Sequence, residues 1–338
     1  MKMAFLALLA AVIVSAPAQD LTIVPMCHIL DSVYIYENAP FPSCHASTLA
    51  ETQTGLLAAW FGGSHERNPD VCIYTASWID GKWTDPQLTA DGILNEKLRY
   101  PCWNPVLFTR DNGDVILFYK VGPSPREWWG MFRISSDDGT TWSPPTRIPD
   151  GLLGPIKNKP FRLPDGTILY PTSYEKHVKW RIYAETSTQD LKTWNKIPVD
   201  NNGFNAIQPT ILHYADGRLQ LLCRSRENRI VQTWSTDRGK TWKPLEATDL
   251  PNNNAGIDGV TLQSGLQLLV CNPLTEGRHK LALLASSDGK NWKSILMLED
   301  HASGEFSYPA IIEGKDGKVH ITYTYRREKI KYVCLELK

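Results

Sequence analysis

Short apolar segments recur along the chain, and each follows a glycine that is typical of a turn. The six glycines are Gly55, Gly113, Gly166, Gly217, Gly265 and Gly317. By subtraction, successive glycines are 58, 53, 51, 48 and 52 residues apart. Several follow Asp, as in Asp165-Gly166, and this pair favours a tight hairpin with a positive φ at the glycine. The pattern therefore predicts six similar units of about fifty residues each.

A second hairpin that carries a tryptophan closes most of these units. The tryptophans are Trp83, Trp142, Trp194, Trp242 and Trp292. Short strands between regular turns, at this repeat length, are typical of propeller blades. The chain shows no amphipathic helical pattern longer than a turn or two. The sequence therefore predicts an all-β fold, a six-bladed β-propeller of four-stranded antiparallel blades.

The beginning of the chain has the pattern of a signal peptide. Lys2 supplies a positive charge, residues 3–14 form an apolar stretch, and residues 16–18 (Ala-Pro-Ala) resemble a cleavage site. The apolar stretch is too short to span a bilayer. We therefore expect residues 1–18 to be a cleaved signal peptide and residues 19–338 to be one propeller domain. The mature protein would be secreted or periplasmic, without membrane insertion.

The overall charge gives no reason to expect a nucleic-acid partner. Lys and Arg number 36, as do Asp and Glu, so the formal net charge is +0. The seven cysteines are scattered without C-x-x-C spacing, and the histidines lack metal-ligand spacing, so we expect no metal and no cofactor. A disulfide between Cys27 and Cys334 is a hypothesis for joining the chain ends. We expect a monomer.

Polar residues recur about nine positions before each repeat glycine. They are His45, Asn104, Lys157, Gln208, Asp258 and Tyr308. In a propeller these positions lie where the innermost strands begin, and they converge at one mouth of the central channel. A packed channel would not need polar groups at all six places. A ligand site at this mouth is therefore the better interpretation.

Basic residues follow several of the same strands. Lys120 and Arg224 each lie seven residues after their glycine, and Arg278 and Arg326 follow later strands. Guanidinium groups bind carboxylates through two parallel hydrogen bonds, so several of them at one mouth favour an acidic sugar. The alternative is ordinary ion pairing at the surface or between blades, which we expect for Arg226, Arg229 and Arg327.

Two turns carry a recognisable motif. Residues 135–142 (SSDDGTTW) and 235–242 (STDRGKTW) both match the pattern S-x-D-x-G-x-T-W, and residues 286–292 are one residue short of it. This motif is the Asp-box, and the chain resembles the sialidase (BNR/Asp-box repeat) superfamily. The resemblance implies a sialidase-like six-bladed propeller. The box itself is a structural turn at the blade edge, so it says little about chemistry.

The resemblance also implies roles for single residues. Tyr308 is similar to the nucleophilic tyrosine of sialidases, and Arg224 and Arg278 are similar to two of their three carboxylate-binding arginines. Asp70 resembles the aspartate that protonates the leaving group, although Glu66 takes that place if the loop is shifted. These matches imply a glycoside hydrolase that removes a terminal acidic sugar, such as sialic acid, from a glycan or polysaccharide.

Two positions depart from the sialidase pattern. His45 stands where the first arginine is expected, and Gln208 stands where a glutamate activates the tyrosine. An amide cannot serve as a base, whereas an unperturbed histidine titrates near neutrality, so His45 is the best candidate general acid or base. Gln208, Asn104 and Asp258 would orient the substrate, together with Lys120, Lys157 and Arg326.

These departures leave two alternatives open. One is cleavage of a cap linked to a uronic acid, such as rhamnosyl-glucuronate, by hydrolysis or elimination through His45. The other is a catalytically inactive sugar-binding propeller. Trp128 and Trp129 would form a platform for sugar rings or pack between blades.

Overall fold

The computed structural model describes residues 25–176 and 178–338, so the predicted signal peptide lies outside the described residues. Every regular element in these two ranges is a β-strand, and they contain 27 strands and no helix. The strands form six sheets of at least four strands each, and consecutive strands pair antiparallel. The predicted all-β six-bladed propeller is therefore confirmed.

The blades follow the chain in order. Blade 1 contains β2 (Ser43–Glu51), β3 (Leu56–Gly63), β4 (Cys72–Ile79), β5 (Lys82–Trp83) and β6 (Gln87–Ala90). A separate hairpin is formed by β7 (Ile93–Asn95) and β8 (Leu98–Arg99). Blade 2 contains β9 (Cys102–Thr109), β10 (Val115–Val121), β11 (Trp129–Ser135) and β12 (Thr146–Arg147). Blade 3 contains β13 (Phe161–Arg162), β14 (Ile168–Lys176), β15 (Lys179–Ser187) and β16 (Trp194–Pro198).

The remaining strands complete the ring. Blade 4 contains β17 (Ala206–His213), β18 (Leu219–Ser225), β19 (Arg229–Ser235) and β20 (Glu246–Pro251). Blade 5 contains β21 (Asp258–Thr261), β22 (Gln267–Cys271), β23 (Lys280–Ser286) and β24 (Lys293–Asp300). Blade 6 contains β25 (Phe306–Glu313), β26 (Val319–Tyr325), β27 (Lys329–Leu337) and β1 (Cys27–Tyr34).

Hydrogen bonds between the two ends of the chain close the ring. β1 is the outermost strand of blade 6 and pairs antiparallel with β27. Beyond the paired strands, Met26 N–H donates to the Lys338 carbonyl at 2.9 Å. Cys27 lies opposite Leu337 and Cys334 lies opposite Asp31, and all seven cysteines are free thiols. The hypothetical Cys27–Cys334 disulfide is therefore wrong, because the strand register separates the two side chains.

The Asp-box turns are held by their own side chains. Ser135 Oγ accepts a hydrogen bond from Gly139 N–H at 2.8 Å, and Asp137 Oδ1 accepts one from Thr141 N–H at 2.8 Å. Trp142 Nε1 donates to the Gly139 carbonyl at 3.1 Å. The same serine and aspartate bonds recur in residues 235–241. These bonds satisfy backbone donors locally, so the motif specifies a turn whatever chemistry the propeller carries.

Backbone bulges at the start of the inner strands position the site. Four non-glycine residues, each nine positions before its repeat glycine, have a positive φ: Ala46 (58°), Asn104 (29°), Gln208 (54°) and Tyr308 (52°). The pairing of each inner strand with its neighbour shifts register nearby. A bulge redirects a side chain, and two of these side chains meet across the channel, because Gln208 Nε2 donates to the Tyr308 hydroxyl at 3.5 Å.

Candidate functional site

The hydroxyl of Tyr308 accepts a hydrogen bond from Arg224, whose orientation is fixed. Arg224 Nη1 donates to the Tyr308 hydroxyl at 2.6 Å and to Gln208 Oε1 at 3.1 Å. The other side of the Arg224 guanidinium is held by Asn254, through Oδ1 at 3.0 Å and through the backbone carbonyl. Arg224 is buried, so these bonds fix its orientation. A guanidinium held in this way stabilises negative charge that develops on the phenol oxygen.

Two more basic side chains lie close to the Tyr308 ring. The Arg278 guanidinium lies 5.8 Å from the Tyr308 ring centroid, and Lys157 Nζ lies 5.9 Å from it. Lys157 is buried and donates to the carbonyls of Ile257 and Pro309. Burial lowers the pKa of Lys157 to about 7. The predicted residues Tyr308, Arg224, Arg278 and Lys157 are therefore brought together, in surroundings that favour an anion.

His45 packs directly against Tyr308. The two ring centroids are 4.0 Å apart, and His45 Nδ1 forms a 3.0 Å hydrogen bond with Thr324 Oγ1. Burial first, and then the charges of Arg327, Arg278 and other nearby cations, lower the pKa of His45 well below its usual value. The imidazole is therefore neutral at neutral pH. Of the predicted roles of general acid and general base, His45 therefore keeps that of a neutral base or of a hydrogen-bonding group.

An ion-pair network borders the site. Glu305 Oε1 bonds Arg278 Nη1 at 2.8 Å and Arg327 Nε at 2.9 Å, and Arg327 also bonds Glu66. Burial opposes ionisation of Glu305, but Arg327 and Arg278 hold its pKa below the usual value. A cavity of about 500 Å³ opens beside this network, lined by Ser43, His65, Glu66, Arg67, Glu305 and Arg327.

Arg327, and not the predicted ligand Arg326, pairs with the acidic residues beside the site. Arg326 is exposed, and its guanidinium lies over the rings of Phe306 and Tyr325, 6.0 and 5.7 Å from their centroids. Arg327 forms the ion pairs expected of it, but next to Arg278 and close enough to His45 to lower its pKa. Both arginines have a positive φ, 54° for Arg326 and 63° for Arg327, so the two consecutive residues form a left-handed turn.

Two other predicted residues form hydrogen bonds between different segments of the propeller. Asp258 is buried and bonds Lys159 at 2.9 Å, Thr210 Oγ1 at 2.8 Å and Ile311 N–H at 3.0 Å. These bonds connect three inner strands and, with a fourth from Gly259 N–H at 2.9 Å, engage both carboxylate oxygens of Asp258 within the protein. Lys120 is completely buried and donates to the Pro155 carbonyl at 2.7 Å. Neither residue contacts Tyr308, so the structure places both in the framework.

The last two predicted residues, Asp70 and Asn104, form no hydrogen bond with Tyr308. Asp70 accepts hydrogen bonds from the backbone and side chain of Ser64, both at 2.9 Å, within its own exposed loop. Asn104 occupies the bulge of blade 2 and is buried, and its amide bonds to no other side chain that the structure describes. Trp128 packs edge-on against Trp103, with the ring centroids 5.9 Å apart, and both Trp128 and Trp129 line a groove.

Comparison with known proteins assigns the family. The model of the BNR repeat-like domain matches residues 54–321. The chain belongs to this BNR repeat-like family. No curated protein matches it. Within residues 25–176 and 178–338, no helix is long and apolar enough to cross a membrane, and no group of His, Cys, Asp and Glu side chains is placed to hold a metal ion.

Solved structures share the propeller. A protein of unknown function from Dyadobacter fermentans superposes with a TM-score of 0.77 at 17% identity, covering 93% of this chain and 100% of that one. A Hadza microbial sialidase gives a TM-score of 0.73 at 19% identity, covering 86% and 65%. The intramolecular trans-sialidase from Ruminococcus gnavus gives a TM-score of 0.72 at 14% identity, covering 90% and 97%. At these identities the similarity shows the fold alone.

In this BNR-repeat chain, the position seven residues after the repeat glycine connects neighbouring blades in five of the six repeats. Ser173 Oγ accepts from Gln208 N–H at 3.0 Å, and Thr324 Oγ1 accepts from Ala46 N–H at 3.2 Å. Asn272 Nδ2 donates to the Phe306 carbonyl at 2.8 Å. Lys120 and Arg224 occupy the same position and also bond the next blade. The repeat spacing contained this signal, and it explains why Lys120 is a structural tie.

Sequence reasoning missed one more residue of the site. Gly256 is the residue nine positions before Gly265, and it lies against both Lys157 and Tyr308. A Cβ atom at Gly256 would be 3.0 Å from Lys157 Cε and 3.3 Å from Tyr308 Cδ2. A larger residue would therefore push Lys157 away from the tyrosine. Asp258, chosen from the sequence for this place in the ring, lies two residues too far along.

Proposed function

We propose that this protein is an exported glycoside hydrolase that releases a terminal acidic sugar from a glycan. The observation that carries the proposal is the 2.6 Å hydrogen bond from Arg224 to the Tyr308 hydroxyl, beside Arg278 and against the His45 ring. Tyrosine is a poor nucleophile unless a cation or base activates it. Here a fixed guanidinium meets the phenol oxygen, and the remaining cations favour a carboxylated substrate. Export is inferred from residues 1–18.

The charges give each group a part in the reaction. The sugar carboxylate would lie between Arg224 and Arg278, with Arg327 at the rim. Tyr308 would attack or stabilise the cationic transition state of glycoside cleavage, and the leaving group needs a proton from a carboxylic acid. Glu66 lines the cavity beside Glu305 and Arg327, which favours it over Asp70 by position, and to act as that acid it would have to leave its ion pair with Arg327 and be protonated. Gln208 would hold Arg224 and Tyr308 in register.

A second candidate reaction follows from His45 and Gln208. An amide at position 208 cannot take the tyrosine proton, whereas the neutral imidazole of His45 contacts the tyrosine ring. The same pair suits a uronate-linked substrate, because neutralising a uronate carboxylate acidifies the adjacent C5 proton. The product would be a free cap sugar after hydrolysis, or an unsaturated uronate after elimination.

Two substrates distinguish these reactions. The mature protein is incubated with sialyl-lactose and with rhamnosyl-glucuronate oligosaccharides, and released sugars and ultraviolet absorbance of unsaturated uronate are measured. Tyr308→Phe should abolish sugar release while keeping the ring contact with His45. Tyr170→Phe is the matched control, since it also loses a hydroxyl hydrogen bond, to Ser187, but in the buried core between blades 2 and 3. Binding of both substrates without any product would support the inactive sugar-binding propeller instead.

A further inference from the structure

A groove lies beside the mouth, between the loop after β10 and the outer strands of blade 3. It encloses about 430 Å³. Its lining includes Arg126, Trp129, Arg147, Tyr174, Lys176 and Lys196. Cationic groups and aromatic faces therefore dominate its walls.

The two lysines are held by aromatic rings instead of carboxylates. Lys176 Nζ lies 6.0 Å and Lys196 Nζ lies 5.8 Å from the Tyr174 ring centroid, and Lys196 Nζ lies 3.7 Å from that of Tyr183. In the described part of the chain, no carboxylate lies within ion-pair distance of either lysine. Burial and the charge of Lys176 lower the pKa of Lys196, against the attraction of Glu185. The pair thus keeps two like charges together without a direct ion pair to any described carboxylate.

The rest of the groove adds positive charge. The Arg147 guanidinium lies 5.2 Å from the Trp129 ring centroid and pairs with Asp150 at 2.8 Å. Arg126 has no ion-pair partner among the residues described. Four cations therefore face two acidic residues, Asp150 and Glu175. Burial raises the pKa of Glu175, although Arg224 and Arg126 oppose this. The groove thus has an excess of positive charge, which an anionic ligand would neutralise.

Glu175 also links the groove to the mouth. It lines the groove and lies opposite Trp180 in the pairing of β14 with β15, and the Arg224 guanidinium that bonds Tyr308 lies 5.6 Å from the Trp180 ring centroid. A sugar chain whose terminal residue occupies the mouth can therefore continue into the groove. Sugar rings pack on aromatic faces, and carboxylates pair with ammonium groups, so the lining suits uronic acid residues.

We propose that this groove is a second sugar-binding site, which holds uronate residues of the chain that carries the terminal sugar. The inference rests on the proposed function for its orientation, because the mouth is taken as the place of cleavage. It specifies the substrate class further: the substrate is an anionic polysaccharide rather than a neutral glycan with one acidic cap.

Calorimetric titration of the Tyr308→Phe protein tests the groove without turnover. The probe is tetragalacturonate, and cellotetraose is its neutral counterpart. Lys176→Ala/Lys196→Ala should weaken tetragalacturonate binding roughly tenfold, since two exposed charge contacts are lost. Lys240→Ala/Lys290→Ala removes the same charge from two Asp-box turns and should leave binding unchanged. Equal affinity for cellotetraose, or no effect of the groove substitutions, would overturn the proposal.

A second readout separates this proposal from the proposed function. The groove substitutions should leave release of sialic acid from sialyl-lactose unchanged, because its remaining sugars are neutral. If the wild-type protein cleaves no acidic sugar but still binds tetragalacturonate through Lys176 and Lys196, the proposed function fails and the groove stands. If acidic caps are cleaved equally well from neutral and uronate chains, the groove proposal fails and the proposed function stands.

Discussion

Replacing Lys120 with methionine tests whether this lysine is a structural tie or a substrate ligand. The side chain is completely buried, and its only described hydrogen bond is the 2.7 Å contact with the Pro155 carbonyl of the next blade. Methionine keeps the length and apolar volume of the side chain and removes the amine. The structural position predicts a change in stability and in its pH dependence, with KM for any substrate unchanged.

The magnitude follows from the burial of the amine. Burial lowers the pKa of Lys120 from 10.5 to about 7, although Glu185 opposes this. Between these two values the unfolded chain binds more protons at position 120 than the folded chain, so stability rises with pH. From about pH 6 to about pH 8.5 this single group should add about 2 kcal/mol to the free energy of unfolding. Methionine removes this gain.

Urea denaturation at the two pH values measures the effect. The rise in the free energy of unfolding with pH should be about 2 kcal/mol smaller in Lys120→Met than in wild type. The unsatisfied Pro155 carbonyl costs about 1–3 kcal/mol at both pH values and cancels in this comparison. An identical pH dependence of stability in both proteins would show that burial does not lower the pKa of Lys120. A large rise in KM with unchanged stability would instead place Lys120 at the substrate.

Three further substitutions give distinct outcomes. Arg224→Met should lower kcat/KM for an acidic sugar by about 2–4 kcal/mol in transition-state terms, and equal losses for a neutral sugar would contradict carboxylate binding. His45→Gln should lower kcat. The pH–rate profiles of the wild type and the variant should both lack a limb near the usual histidine pKa, because burial already holds His45 neutral. A limb near that pH in the wild type that disappears in the variant would refute this. Asp288→Ala should lower the free energy of unfolding by about 1 kcal/mol near neutral pH with kcat/KM unchanged. Burial opposes ionisation of Asp288, but backbone and side-chain hydrogen bonds, mainly from Asn291, lower its pKa to about 2. In acid denaturation of the wild type, the stability that ionised Asp288 contributes should therefore disappear as the pH falls from about 4 to about 2.

Local chemistry made part of the site predictable from the sequence. The number of residues between the bulge of an inner strand and the hairpin glycine that follows it is nearly the same in every blade. Counting nine residues back from the glycine therefore found Gln208 and Tyr308. The same count applied to blade 5 gives Gly256, and a polar residue was chosen there instead. Arg224 was also found by counting, because the position seven residues after the glycine faces the next blade in five of the six repeats.

The propeller, the six repeats and the Asp-box turns could be predicted from the sequence, because each rests on hydrogen bonds between residues close in the chain. Which polar groups meet in the site depends on how the blades pack. Lys120 and Arg224 have the same offset and both bond a carbonyl of the segment that leads into the next blade, yet only Arg224 also reaches across the channel to Tyr308 of blade 6. Glu305, Arg327 and Glu66 come together from the two ends of the chain. Their pairing depends on the closed ring of blades, which no local pattern encodes.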